Sequence, residues 1–247
     1  MTKVKVIVPY VNEEEITEHK NSFWYLDAHY EQDKVGIGSD LMFQKMWKQF
    51  PEHDIFILHS DMGAHHDEWF DEVLEYVENY PEAGMFGCLL LYPAKNDMGE
   101  FYIQCAGGKF TNEKPDHFGS GLILENNGKF KDELEVDQGQ YDKVREVAWT
   151  TFGGCYIRRS FINCVGDFDA QYEWTYNRDV DYCLQARERG QRIYNIPVRL
   201  FHHESRDNKR LKDDMKLQME MRNLKRLQTK WANSNFYKTL DREIKNG

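Results

Sequence analysis

No run in this 247-residue chain approaches the roughly 20 consecutive apolar residues that a membrane-spanning helix needs. The first residues, MTKVKVIVPY, pass straight into a strand pattern without the long apolar stretch of a secretory signal, so the cytoplasm is the expected compartment. Cysteine is scarce and odd in number: Cys88, Cys105, Cys155, Cys164 and Cys183 include no CxxC pair. This argues against a disulfide framework or a thiolate zinc site and for reduced thiols. No internal repeat is present. What is abundant is aromatic: Phe, Trp and Tyr make up 14% of the chain and apolar residues 40%, a globular composition able to bury a sizeable core.

The net charge of -10 is unevenly spread. From Ser205 onward there are 12 lysines and arginines against 6 acids, whereas residues 1–204 carry 20 against 36. A basic tail therefore follows an acidic body. It could attract a membrane surface, a lipid-linked molecule or nucleic acid, but its interspersed Asp213, Asp214 and Glu220 favour an ordinary solvated helix. Leu217, Met221, Leu224 and Gln228 recur at helical spacing, which predicts a face packed on the domain or on a partner chain.

VKVIVPY (4–10), DIFILHSD (54–61) and GMFGCLLLY (84–92) are near-continuous apolar runs of the kind that form buried strands. Leu41, Met42, Met46, Trp47 and Phe50 fall at helical spacing before the second run, and Trp69, Phe70, Val73, Leu74 and Val77 do so after it. The class is α/β with a wound sheet. Shorter strand-like pieces broken by glycine follow, suggesting a more antiparallel half. Residues 125–143 are strongly polar and read as a loop or lid.

In wound sheets ligands gather beyond the carboxyl ends of the strands, which directs attention to VPYVN (8–12) and LHSDM (58–62). Asp61 there can hold a hard divalent cation or cap the next helix. His202 and His203 close a later strand; neighbours on a strand face opposite ways, so one of them, His202, is the candidate to join Asp61. In NRDVDYCLQARERG (177–190), Asp179 and Asp181 stand about 200° apart on a helix and cannot serve one target. Asp179, in the first turn, is the one free to face a cleft as a general base, or both are simply helix-start acids. Asp181 suits the helix dipole.

Several stretches in order resemble an inverting family-2 glycosyltransferase of the GT-A fold, in particular the rhamnosyltransferase-like subgroup. They are VIVPYVN (6–12), FILHSDMGAHHDEWFDEVL (56–74), GMFGCLLLYP (84–93), IQCAGGKF (103–110), VAWTTFGGCYIRRSFINCVGDFDAQY (147–172), NRDVDYCLQARERG (177–190) and LFHHESRDNKR (200–210). The resemblance implies a GT-A, Rossmann-like mixed sheet flanked by helices: one catalytic domain over 1–204 (nucleotide-binding half 1–95, acceptor half 96–204) and a basic helical extension, 205–247. It implies transfer of a sugar from a UDP-, dTDP- or GDP-sugar to a glycan, lipid-linked or other hydroxyl acceptor, with Mn²⁺ or Mg²⁺. Asp179 falls on the catalytic base, and Asp61 and His202 on the metal ligands. Pro9, Tyr10, Asn12, Ser60 and Asp61 fall on the nucleotide-binding segments, and Gly153 and Gly154 on the segment lining the sugar pocket.

Three positions depart from the family pattern. Arg178 stands where Glu usually precedes the base, and a cation there is expected to lower the Asp179 pKa. His59 replaces the common first acid of the metal motif. The usual second strand is not recognisable in NSFWYLDAHYEQDK (21–34), leaving Asp27 as the candidate base-reading acid. A non-catalytic nucleotide-sugar or glycan-binding module on the same scaffold is the alternative. A nucleotidyltransferase is disfavoured, because VPYVNEEE offers acids where a Gly-rich basic loop is expected.

Overall fold

Alternation along three apolar strands sorts the core. In the computed structural model, which describes residues 3–111, 114–124, 130–173, 176–203 and 213–234, these are β1 (Val4–Tyr10), β3 (Asp54–Leu58) and β5 (Ala83–Lys95). Ile7, Ile55, Ile57 and Met85 point to one side of the sheet, and Val6, Val8, Phe56, Leu58 and Phe86 to the other. Both faces must therefore be covered. Helices α1 (Glu13–Ser22) and α3 (Trp69–Asn79) cover the second face through Ile16, Phe23, Trp69, Val73 and Val77. Helices α2 (Ser39–Trp47), α4 (Arg159–Val165) and α5 (Arg178–Glu188) cover the first, with Phe43, Met46, Trp47, Phe161 and Tyr182 at its centre.

Among the described residues the main sheet has nine strands. Its main path runs β11 (Arg145–Glu146), β13 (Arg192–His202), β5, β12 (Gly154–Ile157), β3, β1, β2 (Ala28–Gln32). The β2–β1–β3 and β5–β13 pairings are parallel, whereas β12 lies antiparallel between β3 and β5. The sheet is thus mixed, and the first and second halves of the chain share it. Two short strands complete it: β4 (Met62–Ala64) on β13 and β6 (Phe101–Cys105) on β5. Two hairpins, β7 (Gly108–Thr111) with β8 (Lys114–His117) and β9 (Ser120–Leu124) with β10 (Phe130–Leu134), form the more antiparallel region expected.

The structure alters several expectations. A second strand does exist at β2, parallel to β1, with Tyr10 opposite Gln32. Its five residues are all half-buried at the sheet edge, so it carries none of the apolar signature of the inner strands. Within 125–143, residues 125–129 lie outside the described residues. The rest is β10 and a turn in which Asp137 and Asp142 both pair with Arg199, so the described part is fastened to the sheet. Helix α6 (Asp213–Trp231) docks on the domain by Met219, Asn223, Leu227 and Trp231, while Leu217 (57% exposed) and Met221 (61%) face outward. Its bases meet acids of the body: Arg222 pairs with Glu173, Arg226 with Asp169, and Lys230 with Asp169 and Asp181. The charge asymmetry of the sequence is in this part an intramolecular complementarity. No helix among the described residues is long and apolar enough to cross a membrane.

Candidate active site

Strand register assembles the first part of the site. After β3 the chain turns through His59, Ser60 and Asp61 into β4, which pairs antiparallel with the end of β13, placing His202 opposite Met62. The His203 amide donates to the Asp61 carbonyl at 3.0 Å, locking the two segments. His202 Nε2 lies 3.3 Å from Asp61 Oδ1. His59, with its ring 5.8 Å from that of His202, completes a group whose donor atoms all lie within 4.8 Å of one another. Of the two closing histidines, His202 has its ring turned to Asp61.

Two features suit this group to a cation. Gln104 Oε1 stands 2.6 Å from His202 Nδ1 and holds the ring with Nε2 turned toward the carboxylate; such an outer partner orients a metal-binding imidazole. Burial pushes the Asp61 carboxyl up, but the His202 bond and the charges of both histidines outweigh it and hold the group well below the usual carboxylate range. Burial also lowers His59 to about 4, against the pull of Asp61, which keeps its imidazole neutral. His59 Nε2 is buried with no hydrogen-bond partner. Two imidazoles and one carboxylate, with donor atoms within 4.8 Å of one another, fit a divalent ion.

The second part lies at the start of α5. Asn177, just before the helix, has φ 61°, the only positive value of a non-glycine residue among those described. Asparagine tolerates this conformation better than most residues, and such strain tends to persist where the surroundings fix it. Asp179 follows, partly buried, with Oδ1 accepting from the Val180 amide at 2.8 Å. Burial pushes its carboxyl up to about 6, against the Val180 hydrogen bond and the Arg178 charge. Arg178 thus depresses this group as expected, but burial outweighs it. Arg178 is 1% exposed; it donates to the Tyr172 carbonyl and lies 3.6 Å from Asp40, in the first turn of α2. On a helix adjacent side chains diverge by about 100°, and here the guanidinium points into the core while the carboxylate does not.

Asp40 escapes any reading of the sequence, since nothing in SDLMF marks it as more than a helix-start acid. It is 4% exposed, and its carboxyl is raised well above the usual range by burial and then by the Asp179 charge, with Arg178 opposing. One turn further along α2, the Phe43 ring lies 5.2 Å from that of His59. Residues three apart share a helix face, so Asp40, which feels the Asp179 charge, and Phe43, against the His59 ring, lie on one side of α2.

Asp181 serves neither a cleft nor chiefly the helix dipole. It is fully buried, and its oxygens accept from Trp231 Nε1 at 2.8 Å, Lys230 Nζ at 2.7 Å and Gln185 Nε2 at 2.8 Å. It anchors α6. Asp181→Ala leaves the Trp231 donor and the Lys230 cation without their buried partner and is expected to destabilise the fold by about 3 kcal/mol. Denaturant unfolding reads this; an unchanged midpoint would show that α6 docks without the anchor.

Beyond the ends of β1 and β2 lies an open cleft of about 470 Å³, lined in part by Tyr10, Glu13, Tyr30, Asp33 and Lys45. Of the residues assigned to nucleotide binding, Tyr10 lines it. Asn12 caps α1, its Oδ1 accepting from the Glu14 amide at 3.0 Å, and Pro9 sits within β1 opposite Glu31. Ser60 lies in the turn between His59 and Asp61. Gly153 and Gly154 are buried, and a Cβ on either would meet Leu90 or Leu200 within 2.8 Å, so their smallness accommodates sheet side chains. Asp27 precedes β2 at the far end of the sheet, paired with Lys5 at 2.6 Å, and cannot reach the cleft.

No family model and no curated protein matches the chain. Solved structures do. GalNAc-T7 with UDP, GalNAc and Mn²⁺ superposes with a TM-score of 0.58 at 11% identity, over 98% of this chain and 50% of that one. The mannosyltransferase PcManGT of Pyrobaculum calidifontis, in complex with GDP-Man and Mn²⁺, gives 0.52 at 12% identity, over 83% and 58%. S. aureus TarS 1–349 gives 0.51 at 11% identity, over 96% and 74%. The chain thus spans about half the length of the first of these. At such identities the likeness shows the fold: a mixed sheet flanked by helices, of the GT-A glycosyltransferase type.

Proposed function

We propose that the protein is a metal-dependent, inverting glycosyltransferase that moves a sugar from a nucleotide-diphosphate donor to an acceptor hydroxyl. The observation that carries this is the His59, Asp61, His202 cluster in a fold of the GT-A type, with Asp179 at the start of α5 near enough to Asp40 of α2 for its charge to raise that carboxyl. The solved neighbours holding UDP or GDP-Man with Mn²⁺ support its nucleotide-sugar and metal part.

The chemistry follows from the residues. A divalent cation held by Asp61 and His202, with His59 beside them, supplies Lewis-acid neutralisation of the charge that develops on a departing diphosphate. Asp179 takes the acceptor's hydroxyl proton as that oxygen bonds to the anomeric carbon; the bond to the diphosphate breaks, and its electron pair leaves with the nucleotide. Attack from the face opposite the leaving group inverts the configuration. A carboxyl titrating at about 6 is better matched to this task than one at its ordinary value, because it is ionised at neutral pH yet more basic. Tyr10 and Tyr30 offer aromatic faces to the nucleoside in the cleft, where Asp33 holds the loop before α2 by accepting from the amides of Gly36, Ile37 and Gly38. Residues 1–204 are then one catalytic domain, with α6 held against it through Asp181.

Incubation with UDP-, dTDP- and GDP-sugars and Mn²⁺, scoring released nucleoside diphosphate with and without chelator, tests the proposal. Release that the chelator stops is expected; saturable donor binding with no release from any donor would favour a non-catalytic sugar-nucleotide module. Gln104→Leu, which removes the acceptor at His202 Nδ1, is expected to weaken ion affinity by about 10–100-fold, whereas Gln104→Glu preserves it. Calorimetric ion titration reads the difference, and equal affinities in both variants would deny Gln104 this role.

A further inference from the structure

We infer that His59 is itself an ion ligand, and that with His202 and Asp61 it makes a centre selecting Mn²⁺ and its heavier transition-metal neighbours over Mg²⁺. The inference rests on the proposed glycosyltransferase for the ion's use, but its geometry stands on three side chains alone.

The nearby acids are few: Asp61 is the one carboxylate in the group, and the other two donors are imidazoles. Mg²⁺ is a hard ion that prefers oxygen ligands and keeps much of its water, so two neutral nitrogens offer it little. Nitrogen donors favour the first-row transition ions, with affinity rising from Mn²⁺ through Co²⁺ to Ni²⁺. His59 Nε2 is buried with no hydrogen-bond partner, the state of a ligand atom rather than of a satisfied core histidine. His202 is held by Gln104 at Nδ1, which turns its Nε2 toward Asp61. An ion about 2.1 Å from each donor needs ligand atoms no more than about 4.2 Å apart. His202 Nε2 and Asp61 Oδ1, at 3.3 Å, already meet this, and all three donors lie within 4.8 Å of one another. Phe43 lies against the His59 ring at 5.2 Å and confines it beside this group. A carboxylate at position 59 would add the negative charge and oxygen that Mg²⁺ requires, so this one residue sets the ion class.

The experiment is ion titration of the chelator-stripped full chain by calorimetry with Mg²⁺, Mn²⁺ and Co²⁺, together with the visible absorption of bound Co²⁺. The wild type is expected to bind Mn²⁺ about tenfold or more tighter than Mg²⁺, with Co²⁺ tighter still. His59→Asp should reduce the Mn²⁺/Mg²⁺ ratio several-fold and shift the Co²⁺ spectrum; His59→Gln, a neutral variant of similar size, should weaken Mn²⁺ without gaining Mg²⁺. Circular dichroism verifies that each variant is folded. Equal wild-type affinity for Mg²⁺ and Mn²⁺, or an unchanged ratio and spectrum in folded His59→Asp, overturns the inference. Failure of sugar transfer with every ion, while the affinity order holds, would count against the glycosyltransferase alone. If no ion binds, both fall.

Discussion

Asp179→Asn is expected to lower sugar transfer by roughly a thousandfold while leaving donor and ion affinity unchanged, because the amide keeps the shape of the carboxyl but cannot accept the acceptor's proton. The same substitution should make the protein more stable at pH 8. An aspartate in an unfolded chain titrates near 3.9, whereas burial brings Asp179 to about 6. Between those values the folded chain holds more protons than the unfolded one. The stability from this group is therefore fully present at low pH and is lost as pH rises through about 6. Asparagine removes the penalty, with a gain of about 1–3 kcal/mol at pH 8 that vanishes near pH 4. In the wild type, log(kcat/KM) should climb with pH and level off above about 6 as the base ionises. Nucleoside diphosphate release, donor calorimetry and thermal unfolding at the two pH values check these effects. Full activity in Asp179→Asn would remove it as the base, and a flat pH profile between 5 and 8 would show that its ionisation does not limit the reaction.

That prediction also shows what the sequence could and could not convey. The buried strands were legible because an inner strand covered on both faces must be apolar throughout, as VKVIVPY and DIFIL are. AHYEQ was not, since an edge strand of half-buried residues has neither a continuous apolar run nor clean alternation. Asp61 and His202 could be proposed together because both close strands of a wound sheet, where loops collect. Arg178 lowers Asp179 as their adjacency implies, but the burial that outweighs it and the partner of its guanidinium, Asp40, 138 positions earlier, are not legible in the sequence. The docking face of α6 was equally hidden: two rows of residues compete along that helix, and the choice is made by Asp181, which accepts from Trp231 and Lys230 across about 50 residues. Gln104 is silent for the same reason, meeting His202 from 98 residues away.

Asp61→Ala should fail for a different reason from Asp179→Asn, and the contrast isolates the two halves of the site. Asp61 is the only carboxylate of the cluster; without it, two imidazoles remain. Loss of an outer partner to a metal-binding imidazole costs about 10–100-fold in affinity, so loss of the charged ligand itself should exceed that range. An ion that binds only the folded state stabilises it by RT ln(1 + [L]/Kd), about 2.7 kcal/mol at a hundredfold excess over Kd. Wild type and Asp179→Asn should both show this Mn²⁺-dependent gain in thermal unfolding. Asp61→Ala should show almost none at the same Mn²⁺ concentration, and its transfer rate should fall at least a hundredfold and recover only in part at high Mn²⁺. The carboxylate also approaches His202 within 3.3 Å, so the unfolding midpoint must be measured in chelator for each variant, separating the loss of that contact from the loss of the ion. Undiminished Mn²⁺ stabilisation in Asp61→Ala would place the ion elsewhere. A full transfer rate in chelator would dispense with it altogether, leaving Asp179 to act against a leaving group whose charge the chain's own side chains must meet.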